Sequence, residues 1–385
     1  MILTPYSQQC LDKRDIQAVV RVLRGSFLTQ GPEIPAFEKE FAKFCGAKYA
    51  VACSSATAGL HLSAMVLGMG PGDLWWTSPN TFCATADAAV RCRSEVDFVD
   101  IEWGTFNMDL ALLEKKLRKA AQKNRLPKVV APVHFAGNPV DMELLDQLRK
   151  KYGFKVVEDA AHATGAEFRG ERIGSCKWSD LCVFSFHAVK IITTGEGGMI
   201  TTNSKTFYEK LCVLRTHGIS RDYKYLSKGK KHPWYYEKLE LGNHYRMTDI
   251  QAALGRSQIK KISSFRKKRL KIASLYMKNL PNYFGLPKMT EGSRSSWHLF
   301  TITVPSSKQK RDTLLQRLRN IGVYSAVHYP IVSGLRFYEK TVLNNKNRSF
   351  PVCAKFFRTT LSLPIYPSLS LSRAAFIVKK LKAWV

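Results

Sequence analysis

The chain has 385 residues, 45% of them hydrophobic, with 16 prolines and 24 glycines; that is enough apolar material to offset the entropy of folding, and it excludes disordered and collagen-like architectures. No apolar run approaches the ~20 residues needed to cross a bilayer, and Met1 to Gln9 lacks a basic segment followed by an apolar stretch, so a cytoplasmic protein with no membrane partner is expected. Lys and Arg outnumber Asp and Glu by 60 to 30, an excess usually associated with anionic partners or ligands.

The length suits two or three domains, or one large α/β domain with a smaller companion. Nine cysteines without a CxxC pair predict neither a metal site nor a disulfide framework.

From the N-terminus, Ser54-Ser-Ala-Thr-Ala58 precedes a helical pattern (Leu60, His61, Ala64, Leu67) and would expose backbone N–H groups as an anion site. Lys128 to Phe135 reads as a buried strand, Met142 to Tyr152 as the helix after it, and Lys155 to Asp159 as a second strand. Asp159 then stands at the carboxyl end of that strand, the edge at which open α/β sheets bind ligands, with His162 three residues on. Leu181 to Phe186 and Gly198 to Thr202 are two further strands. Between them lie Lys190 and the turn Thr193-Thr-Gly-Glu-Gly-Gly198.

A lysine in such a pocket loses its proton readily, because desolvation lowers an ammonium pKa and the neutral amine can condense with an aldehyde. Tyr223 to Leu241, including Lys228-Gly-Lys-Lys-His-Pro-Trp-Tyr-Tyr236, has no clear period and suits a long functional loop. Met247 to Leu270 is predicted as one helix leading into a basic C-terminal part. From Gln258 to Val385 there are 25 Lys and Arg against three acids, so +22 of the net +30 sits in the last third.

The alternation of strands and helices predicts an α/β fold, a mainly parallel sheet flanked by helices, spanning 1–255, with a smaller basic α+β domain over 256–385. Each candidate site has a plainer explanation alone: a Ser/Thr helix cap, a capping aspartate, a core histidine, a surface lysine. Together they fit one ligand, pyridoxal 5′-phosphate, with its phosphate on a helix N-terminus, its ring nitrogen facing an acid and its aldehyde on a lysine.

The chain also resembles the DegT/DnrJ/EryC1/StrS aminotransferases, of the fold-type I class of pyridoxal phosphate-dependent transferases. The resemblance rests on Thr29-Gln-Gly-Pro32, Ser55-Ala-Thr57, His134-Phe-Ala-Gly-Asn-Pro-Val-Asp141, Glu158-Asp-Ala-Ala-His162, Ser185 to Gly198, Leu214-Arg-Thr-His-Gly218 and Tyr245 to Gly255, and on Leu363-Pro-Ile-Tyr-Pro367. It implies that Lys190 carries the cofactor, Asp159 pairs with the ring nitrogen, His162 lies near the phenolic oxygen and Phe82 stacks on the ring. Ala56, Thr57 and Ser185 would hold the phosphate. It further implies a homodimer with shared active sites, in which Asn243 or His244 reaches the neighbouring subunit's phosphate.

Two positions depart from the family pattern: His244 stands where Asn is usual, and Ile191 follows the lysine in place of Pro. Within the family, the stretches Ser185 to Gly198, His217 to Arg221 and Trp234 to Leu241 look like the pseudaminic acid branch. That branch implies amino transfer from L-glutamate to C4 of a UDP-linked 4-keto-6-deoxy-N-acetylhexosamine; part of the surplus positive charge would then serve the diphosphate at the entrance, with Arg221 and His328 as candidate contacts. The alternatives are another keto sugar on the same fold, or a non-catalytic basic protein contacting nucleic acid. The last third holds no recognisable nucleic-acid motif.

Overall fold

The computed structural model describes residues 3–226, 232–305, 308–341 and 349–384. Seven strands form the main sheet: β1 (Tyr49–Cys53), β2 (Leu74–Thr77), β3 (Glu95–Phe98), β4 (Val129–Ala131), β5 (Lys155–Asp159), β6 (Leu181–Ser185) and β7 (Gly198–Thr202). Their order is β1-β7-β6-β5-β4-β2-β3. The pairings from β3 through β6 are parallel, and β7 runs antiparallel to both β6 and β1. The expected mainly parallel sheet is present, with one reversed strand between β1 and β6.

The helices are α1 (Lys13–Leu23), α2 (Glu33–Cys45), α3 (Ala56–Val66), α4 (Ala84–Arg91), α5 (Leu110–Gln122), α6 (Met142–Tyr152), α7 (Lys205–Leu214), α8 (Asp249–Ile259), α9 (Ile262–Asn279), α10 (Lys308–Asn320), α11 (Arg336–Thr341), α12 (Pro351–Thr359) and α13 (Leu371–Ala383). Successive strand residues face opposite sides of the sheet. Ala52, Trp76, Val130, Val156 and Phe184 therefore enter one core, with α2, α5 and α6. Cys53, Trp75, Val129, Val157 and Val183 enter the other, with α3, α4 and α7. Burial on both faces explains why these strands read as continuous apolar runs.

A third core joins α9, α10 and α13 to an antiparallel pair, β8 (Phe300–Thr303) and β9 (Thr360–Leu363). The expected division at 255/256 falls within α8; α9 contributes Ile262 and Phe265 to the first core and Ile272, Ala273 and Tyr276 to the third. The N-terminal segment crosses between units. Thr4 exchanges backbone bonds with Gly322 and Tyr324, and the Ser7 hydroxyl donates to the Val189 carbonyl at 2.9 Å.

Three elements differ from the sequence expectation. The strand predicted over 128–135 stops at Ala131, because Pro132 has no N–H to donate and the chain turns into a short 3-10 segment at Phe135–Gly137. The helix predicted over 247–270 is two helices. They part at Lys260 and Lys261, where the Lys261 ammonium reaches Asp12 (2.8 Å) and Asp15 (2.5 Å) at the start of α1. The loop predicted over 223–241 includes a 3-10 turn at Tyr223–Tyr225, and its Glu237–Lys238 pair with Ile219–Ser220; Lys228 to Lys231 of that loop lie outside the described residues.

Gly255 allows α8 to approach α2, since an ideal Cβ there would sit 2.5 Å from Cζ of Phe37. Gly255→Ala is expected to destabilise the fold by about 1–3 kcal/mol through overpacking. Thermal or urea unfolding checks this, and an unchanged midpoint would contradict the packing assigned to that contact.

Candidate active site

The carboxyl ends of β5 and β6 and the N-terminus of α3 open on one cavity of about 360 Å³. Ala56, Thr57, Phe82, Asp159, His162, Ser185, Lys190 and His328 line it. The remaining sequence candidates do not. Arg221 and His244 are exposed, and Asn243 is half-buried with its side-chain amide on the Met65 sulfur at 3.5 Å.

The anion end follows from local chain geometry. Ser55 caps α3 in an extended conformation and accepts the Ala58 N–H at 3.1 Å. The N–H groups of Ala56 and Thr57, in the first turn, have no intrahelical acceptor and border the cavity. Gly198 packs directly beneath them: a Cβ there would lie 2.5 Å from the Ser55 carbonyl carbon and 2.7 Å from the Ala56 nitrogen. Only glycine permits the β7 backbone to pass so close. The Ser185 hydroxyl, at the end of β6, completes this wall.

Asp159 is buried and held from two directions. Its Oδ1 accepts the Ala161 N–H at 3.0 Å and its Oδ2 accepts the Thr85 hydroxyl at 2.5 Å; Thr85 in turn lies 2.7 Å from the Thr81 hydroxyl. These bonds fix the direction in which the carboxyl group points. Glu158 points to the opposite face, bonded to the buried His134 (2.7 Å) and to Ser179. That ties β5 to the chain leaving β4.

Lys190 sits in the tight loop after β6. The Thr194 N–H returns to the Phe186 carbonyl (2.9 Å), the Lys190 N–H donates to His187 O (2.9 Å), and the Gln251 amide donates to Glu196 O (2.8 Å). Burial lowers the Lys190 pKa to about 8, with the Asp159 charge pulling the other way. Burial first, and the Lys190 charge second, hold His162 well below the ordinary histidine range and bring His328 down to about 3. Both imidazoles are thus neutral hydrogen-bonding groups. His328 Nδ1 lies 2.8 Å from the Ser362 hydroxyl, and His162 Nε2 lies 2.9 Å from the Tyr329 hydroxyl.

Sequence reasoning missed Thr85, Tyr329, His187, Glu196 and Tyr6. Tyr329 and Tyr6 join the cavity from remote parts of the chain, and Thr85 carries no motif of its own. His187 and Glu196, which face each other at 3.8 Å, lie within stretches already singled out.

These residues fit pyridoxal 5′-phosphate. Free first-turn N–H groups and a hydroxyl suit a phosphate, and a buried carboxylate suits a protonated ring nitrogen. Phe82 leaves 58% of its surface bare beside the cavity, and Nδ1 of His162 is buried with no hydrogen-bond partner among the described residues. Lys190 is expected to react with an acylating reagent along a curve whose midpoint lies near pH 8, since only the deprotonated amine is nucleophilic. Peptide mass analysis across pH reads this directly. A midpoint near the ordinary lysine value of 10.5 would contradict the desolvation argument.

The model of the DegT/DnrJ/EryC1/StrS aminotransferase family matches residues 9–382. The spore coat polysaccharide biosynthesis protein SpsC of Bacillus subtilis is 39% identical over 375 residues, 95% of this chain and 93% of that protein. A UDP-4-amino-4,6-dideoxy-N-acetyl-beta-L-altrosamine transaminase of Campylobacter jejuni is 35% identical over 376 residues, 97% of this chain and 95% of its own. Among solved structures, the Helicobacter pylori aminotransferase PseC, involved in pseudoaminic acid biosynthesis, superposes with a TM-score of 0.89 at 29% identity, covering 100% of this chain and 99% of that one. The PLP-form of the sugar aminotransferase Spr1654 from Streptococcus pneumoniae gives 0.88 at 28% identity, covering 100% and 98%. With a cavity built for a phosphate, a ring and an aldehyde, and a family match over nearly its whole length, the chain belongs to the DegT/DnrJ/EryC1/StrS aminotransferase family.

Proposed function

We propose that this sugar aminotransferase moves an amino group from L-glutamate to C4 of a UDP-linked 4-keto-6-deoxy-N-acetylhexosamine, in the synthesis of a pseudaminic acid precursor. The observation that carries the chemistry is the convergence of the Lys190 amine, the Asp159 carboxylate and the α3 N-terminus on one cavity. The sugar is supported by the Campylobacter and Helicobacter relatives.

Pyridoxal 5′-phosphate, when bound, supplies an aldehyde carbon for the transferred amine and an electron-withdrawing ring that stabilises negative charge at the carbon losing a proton. The chain's own groups do the rest. Ala56, Thr57 and Ser185 would hold the phosphate and Asp159 would keep the ring nitrogen protonated, with Thr85 aiming that carboxyl group. Phe82 would pack on the ring, and His162, positioned by Tyr329, would serve the phenolic oxygen. Lys190 is the amine that would hold the cofactor. Its Nζ would be the base that removes the proton at the glutamate α-carbon and the acid that supplies one at C4 of the sugar, a role suited to an amine that titrates close to neutrality.

His328, neutral, offers the substrate a hydrogen bond rather than a charge, which leaves Arg221 as the cation proposed for the diphosphate. Asn243 and His244 stand outside their own cavity, which fits service to a second copy in a homodimer. Apolar side chains left bare at Ile16, Phe27, Leu28 and Leu241 give such a dimer surface to bury.

The test is turnover of purified enzyme with L-glutamate and each of the two C5-epimeric UDP-4-keto-6-deoxy sugars. Product from the altrose-type epimer is expected, and Asp159→Asn should reduce kcat/KM at least about tenfold by weakening the charged contact. No turnover of that epimer would overturn the substrate assignment, and unchanged kinetics in Asp159→Asn would overturn the role of the carboxylate.

A further inference from the structure

Two phosphates on a nucleotide sugar do not account for a net +22 in the last third of the chain, so the question is where that charge lies. Much of it is concentrated on α9 and α13, which pack against each other over the third core. α9 has 18 residues and no acid, which makes it about 27 Å long. Its inward face carries Ile272, Ala273 and Tyr276. Its two arginines are used internally: Arg266 bonds Glu167 at 2.9 Å, and Arg269 is buried against the carbonyls of Trp297, His298 and Ile365.

What remains outward is a stripe of lysines interrupted by apolar side chains. Lys267, Lys268, Lys271 and Lys278 are exposed, and no carboxylate lies within ion-pair distance of them among the described residues. Leu270 and Met277, seven residues apart on the same side, are 52% and 39% exposed. α13 adds exposed Lys379 and Lys382, no acid, and Leu371 at 46% exposure.

We propose that this face docks the enzyme on an anionic lipid surface. A stripe of unpaired lysines is complementary to acidic headgroups, which attract each such lysine without demanding fixed geometry. Leucine and methionine flanking the lysines supply the shallow apolar insertion that holds a helix in the plane of an interface. Nucleic acid is the less suitable partner: the outward face of α9 carries no aromatic on which bases would stack, and its arginines, the residues suited to bidentate base contacts, are turned inward. The expectation of no membrane partner rested on the lack of a spanning segment, and a peripheral contact needs none.

The experiment is co-sedimentation of the full-length holoenzyme with phosphatidylcholine vesicles and with vesicles enriched in phosphatidylserine. Binding to the acidic vesicles alone is expected, weakening as salt is raised. The combined variant K267Q/K268Q/K271Q/K278Q should lose at least about tenfold in partitioning. L270S/M277S should lose severalfold while keeping the charge, with aminotransferase activity unchanged in both. No binding to acidic vesicles, equal binding by the glutamine variant, or tighter binding to RNA or duplex DNA at the same salt would each overturn the proposal.

Discussion

The site depends on one electrostatic tension: the half-buried Lys190 amine lies deep enough in the cavity for its charge to lose much of its hydration, near a carboxylate that would favour that charge. Burial wins and brings the group down to about 8. Burial, with the Lys190 charge second, keeps His162 and His328 neutral. The cavity therefore sets neutral imidazoles and the braced Asp159 carboxyl group around one amine that titrates close to neutrality, an arrangement suited to moving a proton between two carbons.

The architecture that creates this tension is the carboxyl edge of the sheet. Asp159 is placed by β5 and braced by Thr85 from α4, while Lys190 is placed by the loop leaving β6 and braced by Ser7 and Gln251. Gly198 lets the start of β7 lie against the α3 N-terminus, so the turn that carries Lys190 ends beside those first-turn N–H groups. The antiparallel insertion of β7 beside β6 is thus functional as well as topological, for it returns the chain to the site within eight residues of the lysine.

Strands β5, β6 and β7 are legible in the sequence because apolar residues buried on both sheet faces leave unbroken runs. Lys190, Asp159 and the small residues before α3 are legible because their chemistry is unusual at strand and helix ends. The break at Lys260 and Lys261 is not, since it is tied to carboxylates 246 and 249 residues earlier in the chain. Thr85 and Tyr329 are equally hidden. Their roles come from packing, a hydroxyl turned toward Asp159 and a phenol against His162, and neither residue type at that position signals it. The early end of β4 could have been read from Pro132.

The central claim is that Lys190 is the amine that carries the cofactor. Borohydride reduction of the purified, coloured protein, followed by digestion and mass analysis, tests it directly. The label should fall on the peptide containing Lys190, and Lys190→Ala should remain unlabelled while still folding. A label on another lysine, or a protein that stays colourless and unlabelled when supplied with pyridoxal 5′-phosphate, would contradict the account.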